Sequence, residues 1–342
     1  MNHAPTPVSI DALTQIWQRV LQRSPIGPED NFFDLGGHDS LADGIFSEIA
    51  QLYGWELPSA TICYAPTIAA LAGVLEQTSL PHFSPLVQLK AGSEKPPIVI
   101  TPGVGGRASF SKLARCICTR RPIFGIQARG VDGMDLPFDR VEDMANFYLD
   151  AFKNLGPQSS CILIGYSFGG LVALEMAQRL SESGKHVALL VLVDTYPHPR
   201  YFPPNQRLWL SAKRTRERLS NMIRTRTKSA PLIRGLEHRG TLPEESSRLS
   251  FGQTTMRVKK SDFVAMERYR PRFYQGKIRF VRPEGNSYLP NDPATVWKKL
   301  ATELEIETVP GDHLGMVETH FESLAAVLTR YVQEVGMKKS ER

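Results

Sequence analysis

Basic residues are missing from one long stretch of this chain. From Ser24 to Leu89 there is no lysine or arginine, while eight acids fall there: Glu29, Asp30, Asp34, Asp39, Asp43, Glu48, Glu56 and Glu76. Such a segment cannot grip a phosphate backbone. Long apolar runs are missing too. None approaches the roughly 18–20 residues of a helical membrane span, so no membrane partner is expected. Cysteine is scarce, with four residues (Cys63, Cys116, Cys118, Cys161) in 342. They are too few and too scattered for a disulfide framework, and the CxC at 116–118 lacks the second pair that a zinc site wants. We expect reduced thiols, no metal and a cytoplasmic setting. The first twenty residues lack a basic start followed by an unbroken apolar core, so no secretory leader is expected. Internal repeats and low-complexity tracts are absent.

What is present is an ordinary globular composition, 42% hydrophobic and 22% charged. The length fits two domains at about 100–200 residues each. The net charge of +6 is uneven. Between Arg200 and Lys260, fifteen lysines and arginines stand against four acids. A basic block raises the question of nucleic acid. Here it shares a chain with an acidic segment, so an internal partner fits as well, and no nucleic-acid partner is expected. The charge split predicts that the acidic face after Ser40, with Asp43 and Glu48, docks near the basic block.

The first 78 residues read as all helical. Ser9 can cap a helix with Ile10, Leu13, Trp17, Val20 and Leu21 at helical spacing. A loop, EDNFFDLGGHD, leads to a second amphipathic helix at about 40–53, and Thr67 caps a last one. Residues 79–97 hold four prolines and read as a linker blending into an edge strand. After Pro97, short apolar runs alternate with helical stretches: 98–101, 123–127, 161–166, 188–194, 277–282 and 306–310 as strands, 169–183 and 318–335 among the helices. That alternation predicts a mostly parallel sheet with helices on both faces. The stretch 198–262 holds no strand candidate and reads as a helical lid inserted over the sheet.

The sharpest chemical signal is Gly165-Tyr166-Ser167-Phe168-Gly169. It follows an apolar strand and opens a helix, the context of a nucleophile elbow. Ser167 would stand at a helix N-terminus, where the Phe168 N–H can serve an oxyanion. A serine needs a base and an orienting acid. With the chain order Ser, acid, His, the base is His313, in the loop PGDHLGM, while His320 reads as part of the last helix. Two acids are open: Asp194, which ends a buried strand, and Asp292, in the loop after the next one. The first is favoured because a carboxylate leaving a buried strand needs a reason. The loop Thr101-Pro102-Gly103-Val104-Gly105-Gly106 can supply a second oxyanion N–H, assigned to Val104. It also scans as a dinucleotide loop, but the next strand ends in Gln127 where that fingerprint wants an acid.

A second constellation is Asp34-Leu35-Gly36-Gly37-His38-Asp39-Ser40-Leu41. Ser40 has no base nearby in sequence, so it suits modification better than attack. DNFFDLGGHDSL, with ELPSATICYAPTIAALA downstream, resembles a peptidyl or acyl carrier domain of nonribosomal peptide and polyketide synthases. Both His38 and Asp39 precede Ser40, which places the serine one residue later than that motif usually has it. One residue is a rotation of about 100° around a helix. The stretch 83–336 resembles the terminal thioesterase of such assembly lines, of the α/β-hydrolase superfamily, through TPGVGG, GYSFGG, LVLVDTYP, YRPRFYQGKI and GDHLGM.

The resemblance implies a multi-domain chain: a small four-helix carrier (1–78), a linker and edge strand (79–97), and an α/β-hydrolase (98–342) with its lid at 198–262. It implies 4'-phosphopantetheine attached to Ser40 by a phosphopantetheinyl transferase, upstream synthase modules as partners, and an acyl or peptidyl thioester substrate. Ser167, His313 and Asp194 would release that chain by hydrolysis or cyclisation. Two other readings are an esterase on free small esters with a vestigial carrier, and a docking module without catalysis.

Overall fold

The structure is a computed structural model. It describes residues 8–37, 39–54, 57, 61–76, 84–106, 110–153, 160–208, 251–285 and 292–340. The chain divides into two compact units, Met1–His198 with Leu249–Arg342, and Pro199–Arg248. Of the second, the described part is a 3-10 turn (Pro199–Tyr201) and a helical stretch at 204–208. Of the predicted lid, residues 209–250 lie outside the described residues.

The helical start of the chain forms as its caps dictate. Helix α1 (Ile10–Leu21) opens at Ser9, whose hydroxyl accepts the Ala12 N–H. Helix α2 (Asp39–Tyr53) follows the double-glycine loop. Two short helices, α3 (Thr61–Tyr64) and α4 (Ile68–Leu75), complete the group, and Thr67 caps the latter through the Ala70 N–H. These helices bury a core of their own around Trp17, Phe32, Ile45, Ile49, Ile68 and Leu71. Trp17 and Phe32 meet edge to face at 5.5 Å. Glu48 ion-pairs with Arg19 of α1 at 2.6 Å.

The rest is one seven-stranded sheet in the order β1-β3-β2-β4-β5-β6-β7. Its strands are β1 (Leu86–Lys90), β2 (Ile98–Thr101), β3 (Ile123–Ile126), β4 (Ser160–Tyr166), β5 (His186–Val193), β6 (Tyr274–Pro283) and β7 (Ala301–Val309). β1 pairs antiparallel with β3 at one edge, and every other pairing is parallel. The central strands β2 and β4 are buried on both faces, which is why they read as unbroken apolar runs. β7, at the other edge, places Glu303, Glu305 and Glu307 at alternate positions, and charge on an edge blunts strand-to-strand association.

Helices α5 (Ser111–Cys116), α6 (Val141–Lys153), α7 (Phe168–Glu182), α8 (Phe251–Arg268), α9 (Ala294–Trp297), α10 (Gly315–Glu318) and α11 (Phe321–Ser340) connect and cover the strands. One face of the sheet packs on α5 and α11 through Ile100, Ile164, Val191, Leu324 and Tyr331. α8 runs past residue 262 and buries Val258 against Ala128 and Val131. No helix among the described residues is long and apolar enough to cross a membrane. Because the strands run parallel, β2, β4, β5 and β7 all end on one edge of the sheet, and the loops that follow them gather there.

Candidate active site

Ser167 begins where β4 ends. It has φ +54 and ψ −123, a conformation that L-residues avoid, and its N–H is held by the Val193 carbonyl at 2.8 Å. From Cys161 to Gln178 every residue is buried except Ser167, which is half-buried. The turn therefore lifts one hydroxyl out of a closed core. That hydroxyl makes no cap bond to α7, so the helix start does not consume it. The tightness of the turn has a steric basis. A Cβ on Gly169 would lie on the Pro102 and Thr101 carbonyls, and the Thr101 hydroxyl donates to the Gly169 carbonyl at 2.7 Å.

The two acids separate cleanly. Asp194 follows β5 with φ +41, and its side chain is fully buried. His313 Nδ1 lies 2.6 Å from Asp194 Oδ2. An Nδ1–H donated to that oxygen fixes the tautomer that leaves Nε2 as the basic nitrogen. Asp292 is exposed and accepts the Ala294 N–H at 2.9 Å, so it caps α9. The last helix begins at Phe321, later than the sequence pattern suggested. His320 therefore lies in the exposed junction before it rather than inside it. Its N–H closes α10 on the Gly315 carbonyl at 2.7 Å, which shortens the final helix.

His313 stands on a loop and needs support. The Tyr166 hydroxyl donates to the His313 carbonyl at 2.7 Å, and the two rings stack at 5.0 Å. Asp312 accepts the Gly315 N–H at 2.7 Å and caps α10. Burial, with Asp194 as a smaller contribution, raises the Tyr166 phenol, so it remains a donor. The loop after β2 approaches the elbow through Gly103, where a Cβ would stand 3.4 Å from the Ser167 Cβ. Gly105 (φ +105) and Gly106 (φ +66) carry the turn, closed by Gly106 N–H to the Gly103 carbonyl at 3.2 Å. The Gly105 N–H is already taken by Asp262 Oδ2 at 2.8 Å. A small cavity lies between this loop, Phe168, Val172, Met144, Tyr148 and Asp262.

A family model for the thioesterase domain matches residues 96–331. The chain belongs to the thioesterase domain family. A second model, for the phosphopantetheine attachment site, matches residues 11–75. The thioesterase domain thus follows a carrier domain, which is the site of covalent 4'-phosphopantetheine attachment. This is the domain order of proteins of the nonribosomal peptide synthetase type.

A dimodular nonribosomal peptide synthase of Bacillus subtilis is 35% identical over 190 residues, 55% of this chain and 8% of that protein. An indigoidine synthase of Streptomyces lavendulae is 31% identical over 208 residues, 60% of this chain and 16% of that one. The chain therefore spans a small part of these relatives. A crystal structure of a four-domain nonribosomal peptide synthetase bound to AMP and glycine shares the fold with a TM-score of 0.58. The identity is 20%, over 96% of this chain and 26% of that one. The type II thioesterase of the borrelidin biosynthetic cluster gives a TM-score of 0.52 at 17% identity, over 74% and 99% of the two chains.

Gly36 has φ +93, and a Cβ on Gly37 would enter the Phe32 ring, so the double glycine lets the loop fold onto that aromatic before α2 starts. Ser40 is the second residue of α2, and a helix start favours a phosphate. His38 and the side chains of Asp39 and Ser40 lie outside the described residues.

Two residues of the thioesterase site were not legible from spacing. Tyr166 sat inside a motif read only for its serine. Asp262 sat on a helix read only as covering. Its signal was available, however: an acid in register with the apolar stripe Val258, Ala265 and Tyr269.

Proposed function

We propose that this chain releases an acyl or peptidyl group from a thioester by covalent catalysis at Ser167. The observation that carries the reading is the 2.6 Å bond between His313 Nδ1 and the fully buried Asp194, on the same sheet edge as the strained Ser167 elbow. We assign residues 1–78 to the carrier, 79–97 to the linker and edge strand, and 98–342 to the thioesterase domain with the lid insertion. Ser40 is the attachment residue, loaded by a phosphopantetheinyl transferase. When bound, the arm would supply the thioester carbonyl that Ser167 attacks.

His313 Nε2 takes the Ser167 proton as Oγ attacks the thioester carbon. The buried Asp194 carboxylate stabilises the imidazolium that results. The negative charge on the carbonyl oxygen is met by the Phe168 N–H and by a loop N–H, assigned to Val104, with Gly103 against Ser167. Collapse breaks the C–S bond, His313 Nε2 gives its proton to the leaving sulfur so that a thiol departs, and the acyl group stays on Ser167. Water, or a nucleophile within the chain itself, then gives up a proton to His313 and resolves the ester.

A fluorophosphonate should label Ser167 of the whole protein, and Ser167→Ala should abolish both labelling and thioester turnover. The expected fall in rate is roughly 10⁴–10⁶. Turnover within tenfold of wild type would discard the assignment. Incubation with a phosphopantetheinyl transferase and coenzyme A, followed by peptide mass spectrometry, should place the added mass on Ser40. An unmodified Ser40 would favour the esterase reading with a vestigial carrier.

A further inference from the structure

Asp262 stands where packing alone would place an apolar residue. It occupies the middle of the stripe that α8 buries, between Val258 and Ala265, and is 2% exposed. An ionised carboxylate in such a place is costly unless something uses it. Its Oδ2 reaches across 157 positions of sequence to accept the buried Gly105 N–H at 2.8 Å. Gly105 is the turning point of the loop beside Ser167. With φ +105 and no side chain, little else fixes its orientation. The Gly106 end is held by bonds to the Gly103 carbonyl and from the Ala128 N–H.

We propose that Asp262 is a positioning residue for the oxyanion loop: by accepting the Gly105 N–H, it sets the 103–105 backbone so that the preceding amide faces the carbonyl oxygen held at Ser167. The proposal rests on the reading of Ser167 as nucleophile. The same bond commits Gly105 elsewhere and leaves Gly103 and Val104 to supply the loop donor.

Burial pushes the Asp262 carboxyl up to about 7, against the opposing pull of the Gly105 bond. Among the described residues, several line the same small cavity as Asp262. α6 presents the Tyr148 phenol, which burial raises so that it stays neutral. α7 presents Phe168, Gly169 and Val172, and the β2 loop presents backbone. On α8 itself, Lys259 lays its aliphatic stem against Gly105. The carboxylate is a stronger acceptor than the acid, so the grip on Gly105 weakens as pH falls through this range.

The test uses the full chain, an N-acetylcysteamine acyl thioester and a fluorophosphonate. Asp262→Ala should lower kcat by about tenfold to a hundredfold with KM within threefold, and should slow Ser167 labelling equally. Asp262→Asn keeps an acceptor oxygen and should recover most of that loss. A labelled wild type with an unchanged Asp262→Ala overturns the proposal alone, as does an effect on KM without one on kcat. So does an Asp262→Leu variant, which fills the space but offers no acceptor, that turns over like wild type, and this arm decides the matter if the alanine variant fails to fold. A wild type that neither takes label nor turns over overturns the Ser167 reading, and this proposal with it.

Discussion

Ser167 and Asp194 both hold positive φ, at +54 and +41, and the other non-glycine case among the described residues is Gln22 at the end of α1. Such conformations cost on the order of 1–3 kcal/mol each and persist where the surroundings over-determine them. Here the surroundings are ladder bonds, Ser167 N–H to Val193 and Asp194 N–H to Val281, each at 2.8 Å. The strain therefore falls on the two side chains that the mechanism needs at the sheet edge. Asp194→Asn should lower turnover by about 10²–10⁴, because the amide favours the wrong tautomer of His313. Asp292→Asn should change it little, since that residue only caps α9. The reverse ranking in steady-state kinetics would move the acid. Asp262 gives a separate expectation for stability. Its folded carboxyl lies near 7, above the usual value of about 4. Between those limits the folded chain keeps a proton that the unfolded chain has lost, so stability falls as pH rises. Asp262→Asn should therefore stabilise the protein at pH 8, by roughly 2–4 kcal/mol, with the gain vanishing near pH 4. Thermal melts across that range would show it, and a gain independent of pH would contradict it.

At the level of helices and strands, local chemistry was enough for much of the layout. Ser9 and Thr67 cap α1 and α4 through the N–H groups three residues on, as their spacing demands. Each cap replaced by alanine should cost about 0.5–2 kcal/mol of carrier stability, readable by denaturant unfolding. The strands expected at 98–101, 123–127 and 161–166 formed within a residue or so, because strands buried on both faces have no polar side to blur their edges. β6 and β7 began earlier than their apolar runs suggested, at Tyr274 and Ala301. β7 carries glutamates at alternate positions, and these hid the pattern. Glu305 meets Lys277 at 2.8 Å, and Glu307 receives the Tyr331 hydroxyl at 2.8 Å. Charged residues with partners on β6 and α11 are compatible with a strand that propensity alone disfavours.

Across the molecule, the apolar residues of α1–α4 and those of the sheet form separate cores. Separate cores predict separate cooperative units. Leu13, fully buried in the first, should lose about 2–5 kcal/mol on truncation to alanine. Calorimetry of Leu13→Ala should move one transition down and leave the other in place. A single transition that moves as a whole would show that the cores melt together.

The sequence was enough for the carrier helices, the parallel strands, the elbow at Ser167 and the candidate base His313. Each of these rests on caps, periodicity or a turn written in neighbouring residues. It favoured Asp194 over the rival Asp292 as the acid that ends a buried strand, and it passed over Tyr166 and Asp262. Those depend on pairs 119, 147 and 157 positions apart: Asp194 with His313, Tyr166 with His313, and Asp262 with Gly105. Only the folded sheet, which brings the ends of parallel strands to one edge and lays α8 beside them, decides which acid is buried against the histidine and which merely caps a helix.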